Sequence, residues 1–299
     1  MTLIRLTDAF PQARDRIQRM QAAETADPLI NPDCHSILLD HGHATPRAVV
    51  FLHGITSSPV QFRDLGSLFH ARGYNVLVPR LPRHGYRDRL TRDQGRLDRA
   101  ELVAFASQAV DLGRGLGAHL TVAGLSVSGV LAAWCAQHRS QVDLAVLIAP
   151  AFAPFGVPMA LVPALARLVR AVPDIFIWWD PRRGARLGPE CSYPRFSTHA
   201  MAESFLLAAD LYGVAKRRPP ASKAILTVTN PRDLAVNNAA TRAAVRRWRA
   251  HHTTTVHEYA FGPGLGPLHD VIGPYQPNAR VDHVYPILLA LIDSAAAVG

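Results

Sequence analysis

Cysteine is scarce in this chain, and the three present, Cys34, Cys135 and Cys191, lie far apart in sequence. Too few and too scattered for a disulfide framework, and at no metal-ligand spacing from one another, they read as free thiols. Lysine is scarcer: Lys216 and Lys223 are the only two, and nearly all of the formal net charge of +9 rests on arginine. No stretch approaches the roughly 18 uninterrupted apolar residues of a membrane-spanning helix. The early charges at Arg5, Asp8, Arg14, Asp15 and Arg16 are followed by no apolar core of the secretory kind, so cytoplasmic residence is the expectation. A basic balance can mark nucleic acid or an anionic surface. Here the arginines (Arg87, Arg89, Arg92, Arg96 and Arg99, later Arg242, Arg246, Arg247 and Arg249) are interleaved with acids or alanines, without aromatic stacking motifs. That pattern reads as solvated helix faces, not as a nucleic-acid footprint.

What the chain does have is apolar mass. Its 299 residues are 48% hydrophobic, enough for a large core, and fit one α/β domain with an insertion. Strand patterns at Ser36 to Asp40, Ala48 to Leu52, Tyr74 to Val78, Leu120 to Ala123, Val142 to Ala149, Ala224 to Thr229 and Thr253 to Phe261 alternate with helical periodicity. The continuous run Ala48-Val-Val-Phe-Leu52 is that of a strand buried on both faces. The expected fold class is α/β, a doubly wound, mostly parallel sheet with right-handed crossovers. Residues 1–35 form a polar, helical lead-in. Residues 36–150 and 221–299 form the core. Residues 151–220, rich in proline and aromatics, read as a mainly helical cap inserted over the sheet's carboxyl edge.

The most informative stretch is His119 to Gly129, H-L-T-V-A-G-L-S-V-S-G. An apolar strand stops at Gly124, and an alanine- and leucine-rich helix begins within five residues. Ser126 sits at the apex. A sharp strand-to-helix reversal needs small residues where the two backbones approach. A Gly-Ser loop made only for packing would look the same, so the rest of the chain must supply a base, an acid and oxyanion donors. Ligands of open parallel sheets bind beyond the strands' carboxyl ends, which directs attention to the post-strand loops. These hold His53-Gly54-Ile55, Ser126, Asn230-Pro231-Arg232-Asp233 and His269-Asp270. By contrast, Gly113, Gly115 and Ala118 fit a dinucleotide-binding pattern only superficially, because they follow a helix and precede a strand. His41-Gly42-His43 lacks a third ligand and reads as a turn.

The segments G-L-S-V-S-G, H-G-I-T-S-S-P with Q-F-R-D-L-G, G-Y-N-V-L-V-P-R-L-P-R-H-G and L-H-D-V-I resemble the bacterial carboxylesterase and monoacylglycerol-lipase branch of the α/β-hydrolase superfamily. The resemblance covers residues 36–150 and 222–297. Ser126 then corresponds to the nucleophile elbow, with Ser128 standing where the usual motif has its last glycine. The order Ser126, Asp233, His269 is that of the superfamily's triad. Serine at neutral pH is a poor nucleophile and needs a histidine to take its proton. Asp233, rather than Asp270 or Asp210, would hold that imidazole, and His251, His252, His257 and His283 stand at less suitable positions. The resemblance implies the backbone N–H groups of Ile55 and Val127 as oxyanion donors. It also implies that His53 shapes that loop and that His84-Gly85 is a structural turn. Trp178, Trp179 and Phe205 are candidate substrate-pocket residues, although cap aromatics are as often the cap's own core.

The expected activity is cleavage of a small-molecule carboxylic ester without cofactor or metal, and without nucleic acid or stable membrane insertion. Thioesterase, lactonase or aminopeptidase chemistry would use the same residues. A catalytically silent ligand-binding protein would keep the fold and not the reactivity.

Overall fold

Parallel strands with apolar side chains on both faces need a helical layer on each side, and the chain supplies both. A computed structural model describes residues 6–179, 190–276 and 278–298. Residues 1–5 of the lead-in and 180–189 of the expected cap therefore lie outside the described residues. The order is α1 (Leu6–Ala26), β1 (Ile37–Leu39), β2 (Thr45–Leu52), α2 (Arg63–His70), β3 (Tyr74–Val78), α3 (Arg99–Leu116), β4 (Gly117–Leu125), α4 (Val127–His138) and β5 (Leu144–Ile148). It continues with α5 (Val162–Ala171), β6 (Phe176–Trp178), β7 (Arg195–Ser197), α6 (Thr198–Arg217), β8 (Ala224–Thr229), α7 (Asn238–Arg249), β9 (Thr255–Ala260) and α8 (Val281–Val298).

Seven strands form the main sheet in the order β1-β3-β2-β4-β5-β8-β9, with β1 antiparallel to β3 and all other neighbours parallel. Side chains of successive strand residues point to opposite faces. In β2, Ala48, Val50 and Leu52 join a core layer with α1, α3, α4, α6 and α7, whereas Val49 and Phe51 join one with α2 and α8. The direction of winding reverses between β2 and β4, which pair from Thr45↔Gly117 to Leu52↔Gly124. The crevice beyond their carboxyl ends is where such a sheet can hold a ligand.

The helix of the lead-in runs from Leu6 to Ala26 and is not polar throughout. Its Phe10, Ala13 and Ile17 are buried against the core, a stripe of few apolar residues among many charged ones. Contact with α3 is close because Gly115 has no side chain: a Cβ there would lie 2.4 Å from that of Ala13. At Gly113 it would meet Val50 Cγ2 at 2.5 Å. Both glycines of the apparent dinucleotide pattern thus serve helix packing. Between β5 and β8, α5 packs on α6 through Ala166, Ala202 and Leu206, and β6 pairs antiparallel with β7. No helix among the described residues is long and apolar enough to cross a membrane.

The core layer under α7 is anchored by Trp248, fully buried, with its ring centroid 6.1 Å from that of Phe152 and Nε1 donating to Gln137 Oε1 at 3.0 Å. Truncation leaves a cavity and removes the indole partner of Gln137 Oε1. Trp248→Ala is expected to lower the unfolding free energy by about 4 kcal/mol, read as a shifted urea midpoint.

Candidate active site

Ser126 lies between β4 and α4 with φ 62° and ψ −118°, a left-handed conformation that a non-glycine residue adopts at a cost of roughly 1–3 kcal/mol. The surroundings enforce it. Ser126 N–H donates to Ile148 O at 2.9 Å, and Ser126 O accepts from Ala151 N at 3.0 Å. The glycine that permits the reversal is Gly124, where a Cβ would stand 2.0 Å from the carbonyl oxygen of Ser128. Gly129 packs on Pro150, with 2.9 Å from a notional Cβ to the proline Cα. The buried hydroxyl of Ser128 donates to His53 O.

His269 and Asp233 come from the loops after β9 and β8. The His269 Nε2 stands 2.8 Å from Ser126 Oγ, and its Nδ1 stands 2.7 Å from Asp233 Oδ2. A carboxylate at Nδ1 assigns the ring proton to that nitrogen and leaves the Nε2 lone pair facing the hydroxyl. Asp233 is held in turn by Ala235 N–H, which donates to Oδ1 at 2.7 Å, a local turn that the N-P-R-D sequence favours. Ser126 is 8% exposed and Asp233 2%, so both are largely withheld from water, the aspartate more than the serine.

The other candidates lie elsewhere. Asp210 pairs with Arg99 at 2.9 Å, and His251 Nε2 contacts Ala215 O. Asp270 turns away from the imidazole and accepts from Gln61 Nε2 at 2.8 Å. Two residues that sequence reasoning missed hold the histidine's loop. Asn230, 1% exposed, donates through Nδ2 to Gly266 O (2.9 Å) and Leu268 O (2.7 Å). Gln61 bridges Asp270 to Gly54 N–H, which donates to Gln61 Oε1 at 2.8 Å. An amide side chain after a strand is a weak signal, indistinguishable from a turn former until the partner loop is known.

The loop after β2 is built around its histidine. His53 is fully buried. Leu81 N–H donates to His53 Nε2 at 3.0 Å, leaving Nδ1 as the protonated nitrogen, 3.0 Å from Gly54 O. Gly54 O also accepts from Ser57 N at 3.0 Å. In a trans peptide the C=O and the following N–H point opposite ways, so pinning Gly54 O aims the N–H of Ile55. Neither Ile55 N nor Val127 N donates to an acceptor among the described residues. His84, equally buried, sets its ring nitrogens against Pro82 O and Ile55 O.

Of the candidate pocket aromatics, Trp179 reaches this loop, its Nε1 donating to Thr56 Oγ1 at 2.9 Å. Phe205 packs against the cluster of Ala166, Ala202 and Leu206. Trp178 ends β6, opposite Arg195.

Serine, imidazole and carboxylate thus form one hydrogen-bonded chain beyond the carboxyl ends of the parallel strands. Residues 49–281 match the family model described as the alpha/beta hydrolase family, and the chain belongs to that family. Among solved structures it is similar to a metagenome-derived lipolytic enzyme from work on LipS and LipT, with 19% identity, a TM-score of 0.63 and coverage of 89% of this chain and 99% of that one. The monoacylglycerol lipase of Paleococcus ferrophilus gives 17%, 0.64, 89% and 99%. A soluble variant of monoglyceride lipase from Saccharomyces cerevisiae, bound to a substrate analogue, gives 14%, 0.60, 87% and 90%. At such identities the likeness is one of fold. No curated protein matches the chain in sequence.

Burial, chiefly, together with the neighbouring His84 and Arg80, holds the His53 pKa well below the ordinary value, and burial also lowers that of His84. Both remain neutral when folded, whereas the unfolded chain takes up protons near pH 6.5. Stability is therefore full above about pH 6.5 and falls as pH drops below it, by up to about 1.4 kcal/mol per pH unit for each histidine. Urea unfolding at pH 7 and pH 5 should show the lower midpoint at pH 5; equal midpoints would contradict the buried neutral rings.

Proposed function

We propose that the protein is a serine hydrolase of carboxylic esters, working through Ser126, His269 and Asp233 and an acyl-enzyme intermediate. The observation that carries this reading is the continuous hydrogen-bond chain, 2.8 Å from hydroxyl to imidazole and 2.7 Å from imidazole to carboxylate, in a member of the hydrolase family.

In this mechanism Ser126 Oγ attacks the ester carbonyl while His269 Nε2 takes its proton, and Asp233 stabilises the imidazolium that forms. The negative charge that develops on the carbonyl oxygen is received by the N–H groups of Ile55 and Val127. Each such donor contributes roughly 3–4 kcal/mol to the transition state. Val127 opens α4, so the helix dipole adds partial positive charge at the same place. His269 then protonates the leaving alcohol, and a water molecule, deprotonated by the same ring, releases the acid.

Residues 151–220 serve as the cap. The bond from Trp179 to Thr56, and Tyr193 N–H donating to Thr56 O at 2.7 Å, support its resting on the oxyanion loop. Large apolar side chains crowd this segment at the surface, including Phe155, Ile177 and Trp179, with Leu234 beside Asp233. That character favours an apolar acyl group, for which Trp178, Trp179 and Phe205 are the proposed lining.

A fluorophosphonate probe should label the wild type at Ser126. Ser126→Ala should abolish both labelling and hydrolysis of p-nitrophenyl acyl esters, and full retained activity would refute the nucleophile. Asp233→Asn should lower kcat by about 10⁴ through the wrong tautomer. Across esters of graded acyl length, replacing Trp178, Trp179 or Phe205 singly by alanine should change the length preference. An unchanged profile in all three would remove them from the pocket.

A further inference from the structure

The N–H of Ile55 belongs to the peptide joining Gly54 and Ile55, and Gly54 makes that peptide easy to turn. Without a Cβ, a glycine passes between backbone wells at little steric cost. Gly54 O is tied directly to His53 Nδ1 and Ser57 N–H, and rotation of that peptide plane about its flanking Cα atoms is resisted further where the planes on either side are fixed. Gln61 accepts from Gly54 N–H on the near side and His84 faces Ile55 O on the far side, and two further buried side chains outside the triad meet those planes. On the near side, Ser128 Oγ donates to His53 O, and Ser128 is fully buried. On the far side, Gln94 Nε2 donates to Ile55 O at 2.6 Å, and Gln94 is 1% exposed.

Each of the two comes from an element with its own reason to be rigid. Ser128 stands on the first turn of α4, two residues after Ser126, so its bond fastens the oxyanion loop to the same helix start that carries Val127 N–H. Gln94 turns its other end to Ser197 N–H, which donates to Oε1 at 2.7 Å. Ser197 caps α6 and donates through its hydroxyl to Asp174 at 2.8 Å. Gln94 thus ties the carbonyl of Ile55 to the segment between β5 and β8.

We propose that Ser128 and Gln94 are positioning residues for oxyanion stabilisation, the first setting the loop against the nucleophile's helix and the second setting it against the cap. The proposal rests on the serine-hydrolase reading of Ser126. The serine that departs from the common elbow pattern is, on this account, the source of a bond that a glycine could not make.

Ser128→Ala removes the hydroxyl with little change of shape. Gln94→Glu keeps an acceptor for Ser197 N–H and turns the donor facing Ile55 O into an oxygen. Losing an oxyanion donor outright costs about 10²–10³ in kcat. Misaiming it should lower kcat about 10- to 100-fold in each variant, with KM within about twofold. Circular dichroism and the melting curve should report a folded protein. Fluorophosphonate labelling should slow in proportion. Amide exchange read by mass spectrometry over residues 53–58 should be faster than in the wild type. Unchanged exchange in both variants, or a loss confined to KM, would overturn the proposal. Ser126→Ala, run in parallel, separates the two ideas. If it kept activity, the nucleophile assignment would fall, and exchange over 53–58, which needs no catalysis, would still decide whether the two side chains hold the loop.

Discussion

The geometry of the site depends on one backbone conformation, the positive φ of Ser126. A serine placed there lifts its side chain out of the strand direction and above the sheet edge, where a histidine from a distant loop can meet it. The conformation is unfavourable for a residue with a Cβ, and it persists because Ile148 O, Ala151 N–H and the contact of Gly124 with Ser128 leave no room for another. The same closeness presents the first N–H groups of α4 beside the hydroxyl. One constraint thus sets both the direction of the Ser126 hydroxyl and the electropositive helix start beside it.

Around that point, burial in a low-dielectric interior demands partners for the polar groups that set the loops. His53 is the clearest case. Its two nitrogens face one donor and one acceptor, Leu81 N–H and Gly54 O, so the neutral ring is satisfied. His84 faces two carbonyl oxygens, those of Pro82 and Ile55, and a neutral ring can donate to only one. Gln94 supplies a second donor to Ile55 O, so that carbonyl is served whichever nitrogen of His84 carries the proton.

Much of the architecture was legible because burial imposes pattern. The run Ala48 to Leu52 is apolar throughout since both faces of β2 are covered, and the glycine at 124 is dictated by a contact that no side chain fits. The separate positions of Ser126, Asp233 and His269 were readable as candidates because each follows a strand, and ligands of open parallel sheets bind beyond the strands' carboxyl ends. Less was readable where the determinant is a pairing between remote segments. The core residues of α1 were hidden among charges, because the buried apolar side chains of Phe10, Ala13 and Ile17 sit in an otherwise mostly polar sequence. Asn230, Gln61 and Gln94 looked like ordinary polar residues, since a buried amide is distinguished only by the carbonyls it reaches.

That last group explains how an imidazole can be placed by a segment with almost no regular structure. Between β9 and α8 the described residues form one three-residue helical turn, Pro263–Leu265, and packing alone would leave a 20-residue connection with many conformations to lose. The ordering comes instead from two cross-links of opposite origin. Asn230, beside Asp233, grips the carbonyls of Gly266 and Leu268, while Asp270, immediately after His269, is held through Gln61 to Gly54. His269 is therefore pinned on its two sides by the loop of its carboxylate partner and by the loop of Ile55. Because these ties run directly between the segments, a displacement of any one loop is felt by the other two. The precision of the constellation then resides in shared hydrogen bonds more than in the rigidity of any single strand end.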